Sequence, residues 1–157
     1  MNFQAALQQA ANNSLKNISF EDMIQQAIKR CGLNIQLDKP TPGDGNCFSH
    51  AVIQQCQRSD IRPTLNRRTL NVLNSIHPYL ELKQGVKNFM IASKNIIVKA
   101  FKVEFDQTVG LAEQVSWGHF WSQHLEDKEW ADAIFIQGTA YFLEKDIHIF
   151  HTSATHE

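Results

Sequence analysis

The sequence predicts a helix-rich α+β fold with a small central sheet, in one domain spanning residues 1–157. Three observations predict it. Apolar residues recur at helical spacing through most of the chain. The segments Leu33 to Leu37 and Ile147-His148-Ile149-Phe150 alternate with a period of two instead. A tight loop, Gly43-Asp44-Gly45-Asn46, runs straight into an apolar helical pattern headed by Cys47. A chain of 157 residues is long enough for one hydrophobic core and short for two.

In chain order, Phe3, Leu7, Ala10 and Leu15 suggest a short peripheral helix within residues 1–18. Ser19, with Asp22 three residues on, resembles a capping box. Met23, Ile24, Ala27, Ile28 and Cys31 then form one apolar stripe, and Gly32 stands where a left-handed terminating glycine belongs. Cys31, lying on that stripe, reads as core. Lys39-Pro40-Thr41-Pro42 keeps the chain extended, because a residue before proline is steered from the helical region. Cys47, Phe48, Ala51, Val52 and Cys56 make the next helix. Thr64 is the expected cap of a helix carrying Leu65, Leu70, Leu73 and Ile76 and ending before Pro78. Residues 80–109 are mixed and mainly helical in pattern. Ser116 begins a helix with Trp117, Phe120, Trp121 and Leu125, and a last helix runs from Trp130 to Leu143. Lys145-Asp146 turns the chain into the strand Ile147 to Phe150.

Composition narrows the function classes. Apolar residues at 43% and charged residues at 20% are the balance of a soluble globular protein. A net charge of −1 gives no bulk attraction to nucleic acid. No apolar run approaches the ~20 residues of a membrane span, and the N-terminus lacks a basic then apolar leader. The expectation is a cytoplasmic protein with neither nucleic acid nor membrane as partner. Cys31, Cys47 and Cys56 are odd in number, unpaired in spacing, and read as free thiols.

Cys47 stands out by its surroundings. The reactive species of a cysteine is its thiolate, and a helix's first turn favours that anion through its unpaired N–H groups. A glycine-bearing loop before that turn lets backbone amides converge on one point, as an oxyanion hole does. Asp-Gly and Gly-Asn pairs are also ordinary turn chemistry, so the loop taken alone equally fits a plain turn before a buried cysteine.

The segment TPGDGNCFSHAV resembles the nucleophile motif of the ovarian-tumour (OTU) cysteine proteases, in which an Asp-Gly-Asn-Cys run opens the central helix. A second segment, EWADAIFIQGTAYFLEKDIHIF, is similar to that family's later helix–strand unit. Together they cover most of residues 37–150. The resemblance implies an OTU-type, papain-like fold, cut short at its C-terminal side. It implies a monomer that needs no cofactor and no metal, and cleaves bonds at the C-terminus of ubiquitin, polyubiquitin or a ubiquitin-like modifier. Cys47 matches the nucleophile and Asp44 the loop aspartate of the oxyanion region. The backbone of Gly45 and Asn46, with the Cys47 N–H, matches the oxyanion donors.

The resemblance also calls for a catalytic histidine on a strand after Ile147-x-Ile149, and no residue here matches it. His148 falls inside the preceding strand, His151 shares a face with Ile147 and Ile149, and His156 lacks the following aromatic. His50 lies three residues from Cys47 on the same helix, too near in the backbone to swing onto the sulfur as base. The expectation is a base beyond Glu157; a form that binds ubiquitin without cutting it, and a nonstandard histidine, are the alternatives. His119 and His124, five apart, do not share a helix face for a metal. Trp117, Phe120, Trp121 and Trp130 read as core. Arg67-Arg68 and Lys29-Arg30 read as solvated faces, and Cys56 as packing.

Overall fold

The structure is a computed structural model, and it describes residues 4–6, 20–33, 41, 43–123 and 131–149. The chain separates into two compact units, one of residues 1–40 with 148–157, the other of Thr41–Ile147.

In the first unit the main element is helix α1, Phe20–Cys31. Its end is a Schellman motif. Gly32 takes φ +66°, its N–H donates to the Lys29 carbonyl at 3.1 Å, and the Leu33 N–H donates to the Ile28 carbonyl at 3.1 Å. Ala27 and Ala6, both fully buried, form a small cluster with Met23, Ile24 and Cys31. Cys31 is half-buried at the edge of that cluster rather than inside a core. The cap expected at Ser19 and most of the helix expected in residues 1–18 lie outside the described residues.

The second unit is built on helix α4. The helices are α2 (Cys47–Cys56), α3 (Arg67–Leu73), α4 (Pro78–Ala92), α5 (Ile96–Phe105), the single turn α6 (Leu111–Glu113), α7 (Trp117–Gln123) and α8 (Ala133–Leu143). A 3₁₀ turn at Arg62–Thr64 precedes α3, and a π turn at Asp106–Gly110 follows α5. Helix α4 packs against α2, α3, α7 and α8. Leu82, Val86 and Met90 at i, i+4 and i+8 are almost fully buried, as a helix surrounded on several sides demands. Trp117 and Phe120 of α7 stand edge-on to Trp121 and to Phe105, and Phe135 lies tilted against Trp121, at ring separations of 5.2–6.2 Å. They are core, as the sequence implied; Trp130 and Leu125 lie outside the described residues.

Several boundaries depart from the sequence expectation. Thr64 ends the 3₁₀ turn, and the cap of α3 is Asn66, whose Oδ1 accepts from the Thr69 N–H at 2.9 Å. Helix α3 stops at Leu73, leaving Ile76 90% exposed instead of on an apolar face. Pro78 starts the next helix, where its missing N–H costs nothing. Asn95, accepting from the Ile97 N–H at 2.8 Å, divides the middle into α4 and α5. Helix α8 begins at Ala133, with Asp132 capping the Phe135 N–H at 2.8 Å.

The expected central sheet is not found: no strand occurs among the described residues. Ile147, His148 and Ile149 carry no ladder pairing, and Ile149 is 51% exposed. Alternation records which side chains share a face, but a strand exists only where a neighbour supplies N–H and C=O partners. Residues 34–37, the other expected extended segment, lie outside the described residues.

Candidate functional site

The loop Gly43–Asn46 is shaped by its glycines and its aspartate. Gly45 adopts φ +82°, a region open to glycine at little cost. Asp44 Oδ1 accepts from the Asn46 N–H at 3.1 Å, the Asx-type contact that closes such turns. Gly45 and Asn46 are buried beneath the half-buried Asp44 and Cys47.

Cys47 is the first residue of α2, and Asn46 is its N-cap in position only. Its backbone sits at φ −98°, ψ 8°, and its side chain makes no capping hydrogen bond to the helix. Asn46 Oδ1 instead accepts from Lys83 Nζ of α4 at 2.6 Å, with both residues almost wholly buried. The other asparagine and aspartate caps of this unit, Asn66, Asn95 and Asp132, all accept from first-turn amides. The opening turn of α2 therefore starts with uncapped N–H groups, the arrangement that favours an anion there.

The sequence-predicted residues are thus brought together within one turn: Asp44, Gly45, Asn46 and Cys47. The Asn46 amide is engaged by Asp44 in this structure, so serving an oxyanion would require it to exchange that partner. His50 is turned toward the same loop, with Nε2 3.9 Å from Asp44 Oδ2 and its ring tilted over Tyr79 at 4.3 Å between centroids. It lies between loop and α4, not on an open helix surface. His148 is exposed and His119 contacts Gln123 on the surface of α7; His124, His151 and His156 lie outside the described residues. Among the described residues no cluster of three His, Cys, Asp or Glu side chains could hold a metal, and no helix is long and apolar enough to cross a membrane.

Behind the site, Phe48 packs edge-on against Phe135 of α8 at 6.0 Å. Cys56, at the far end of α2, is buried, and burial pushes its thiol pKa up while the Lys145 charge opposes that rise. Its role is packing. Lys83 and Tyr79 were not legible as site residues, because a lysine in a helix ordinarily faces water. The signal was present: Tyr79, Leu82, Lys83, Val86 and Met90 fall at i, i+3, i+4, i+7 and i+11, which puts Lys83 on the buried stripe.

No curated protein and no solved structure matches the chain. The model of the OTU-like cysteine protease family does, over residues 42–157. That span starts at the glycine loop and covers most of the chain, and the protein belongs to the OTU-like cysteine protease family.

Proposed function

We propose that this protein is a deubiquitinase-type hydrolase that cleaves (iso)peptide bonds at the C-terminus of ubiquitin or a ubiquitin-like protein through a thioester on Cys47. The observation that carries the reading is the placement of Cys47 at the uncapped start of α2, behind a glycine at φ +82°. The Cys47 thiolate attacks the carbonyl of the modifier's terminal glycine. The oxygen that becomes negative is met by amides of the Asp44–Cys47 segment, with the Gly45 and Cys47 N–H groups as first candidates because Asn46 donates to Asp44. The amine leaves with a proton, and water then releases the thioester. Asp44 shapes the loop. The family's base is a histidine following the Ile147-x-Ile149 segment, and residues 150–157 lie outside the described residues. The site works as a monomer, without a cofactor, in a cytosolic setting.

A second reading, an OTU fold that binds ubiquitin without cutting it, is favoured by one observation. His50, the described histidine beside the loop, is occupied with Asp44 and Tyr79. Ubiquitin carrying a C-terminal electrophile separates the two. A covalent adduct abolished by Cys47→Ala, together with turnover of di-ubiquitin, supports the hydrolase. Saturable binding without turnover supports the binding module, and no binding refutes both.

A further inference from the structure

We propose that Lys83 is a positioning residue for acyl transfer at Cys47, a role that rests on the reading of Cys47 as the acylated nucleophile. Asn46 is held at both ends: its N–H by Asp44 Oδ1 at 3.1 Å and its Oδ1 by Lys83 Nζ at 2.6 Å. The peptide that follows is anchored as well, its Asn46 carbonyl accepting from the His50 N–H at 3.0 Å, and the N–H of that peptide is the Cys47 amide, a proposed oxyanion donor. Asparagine is among the best N-caps because its side-chain oxygen closes onto the amides of the first turn. At Asn66 and Asn95 it does so. At Asn46 the buried Lys83 holds that oxygen instead, so the side chain does not cover the Phe48 and Ser49 amides of the first turn, and the positive end of the helix beside the Cys47 N–H is left to a developing negative oxygen.

Lys83 is 3% exposed on the central helix α4. Burying an ammonium is costly unless polar partners hold it, which makes it an improbable choice for packing alone. It stands 37 residues from Asn46 in the chain, so the shape of the loop depends on a helix that the loop's own sequence does not specify.

The test compares two reactions of the full-length protein at one pH, each corrected by subtracting the Cys47→Ala protein. With p-nitrophenyl acetate, the thiolate forms a bond to the acyl carbon and p-nitrophenolate leaves with the C–O electron pair, through a tetrahedral oxyanion. With iodoacetamide, the sulfur displaces iodide and no oxyanion forms. Lys83→Met is expected to slow the acylation burst on the order of 10–100-fold, while alkylation stays within about threefold of wild type. Lys83→Arg recovers part of the burst. With di-ubiquitin, kcat falls and KM holds. Equal losses in both reactions, or no loss in the burst, overturn the proposal. Should Lys83→Met not fold, the pair Lys83→Met with Asn46→Leu replaces both buried polar partners at once, and the same comparison decides. A wild-type burst without cleavage of di-ubiquitin sinks the ubiquitin reading alone; no Cys47-dependent burst overturns both.

Discussion

Gly138→Ala tests the packing that supports the site. Gly138 lies in α8, one turn after Phe135, which touches Phe48 of α2. A Cβ placed there would stand 2.4 Å from Trp121 Cη2, 3.1 Å from Trp121 Cζ3 and 3.3 Å from Met90 Cγ. Ordinary carbon contacts need about 3.5–4 Å, so helix or indole must move by about 1 Å. The indole has little room: Trp121 is fully buried, and Trp117, Phe120 and Phe135 stack around it at 5.3–6.2 Å. Overpacking of this kind costs about 1–3 kcal/mol, and more when the clash is severe. Helix propensity returns about 1 kcal/mol for Gly→Ala. An approach this close puts the cost at the upper end, about 2–3 kcal/mol, so the expected net loss is about 1–2 kcal/mol, a Tm lower by about 2–8 °C for a chain of this size. Thermal melts followed by circular dichroism measure it. Gly85→Ala is the internal comparison, because its Cβ meets the edge of the Phe142 ring at 3.0 and 3.2 Å and Val72 Cγ2 at an ordinary 3.7 Å, and its cost is smaller. A Gly138→Ala protein that melts at or above wild type would refute the packing argument.

Three further outcomes are expected. Asn66→Ala removes the cap of α3 and two donations from Nδ2, to the Phe142 carbonyl and to Glu144, and should lower stability by about 2 kcal/mol in urea titration. Arg68, expected to be solvated, instead donates Nε to the Phe142 carbonyl at 2.6 Å and Nη2 to that of Tyr141 at 3.2 Å, with its guanidinium 4.4 Å from the centre of the Phe89 ring. Arg68→Lys should lose about 1 kcal/mol or more, since an ammonium cannot reproduce the fork or the stacking; equal stability by the same titration would count against the capping role. The raised pKa of Cys56 has a signed consequence: its contribution to stability is fully present below the unfolded thiol's ordinary value and is lost as pH rises through the raised folded value. Cys56→Ala should flatten the alkaline limb of a Tm-against-pH curve above roughly pH 9, and an unchanged limb would show that burial of this thiol is not what shapes it.

Local sequence determined what depends on neighbours in the chain. The apolar stripe and Gly32 specify α1 and its end, because a Schellman motif is completed within six residues. The Gly43–Cys47 run likewise specified a tight loop delivering a cysteine to a helix start, since Gly45 at φ +82° and the Asp44–Asn46 contact are both local. Partners distant in sequence were another matter. The cap expected at Thr64 falls instead to Asn66, whose side chain is also tied to the Phe142 carbonyl, 76 residues away. The Ile147–Ile149 alternation promised a strand, but no ladder partner is found among the described residues. Arg68 reads as a solvated charge until the fold places carbonyls beside it, and Lys83 gains its role only from the asparagine oxygen that the fold brings to it. The loop and the cysteine it delivers were thus written in five consecutive residues. The Asn46 side chain beside that cysteine is held by a lysine 37 positions further on, because only helix packing can bring a buried lysine to that loop.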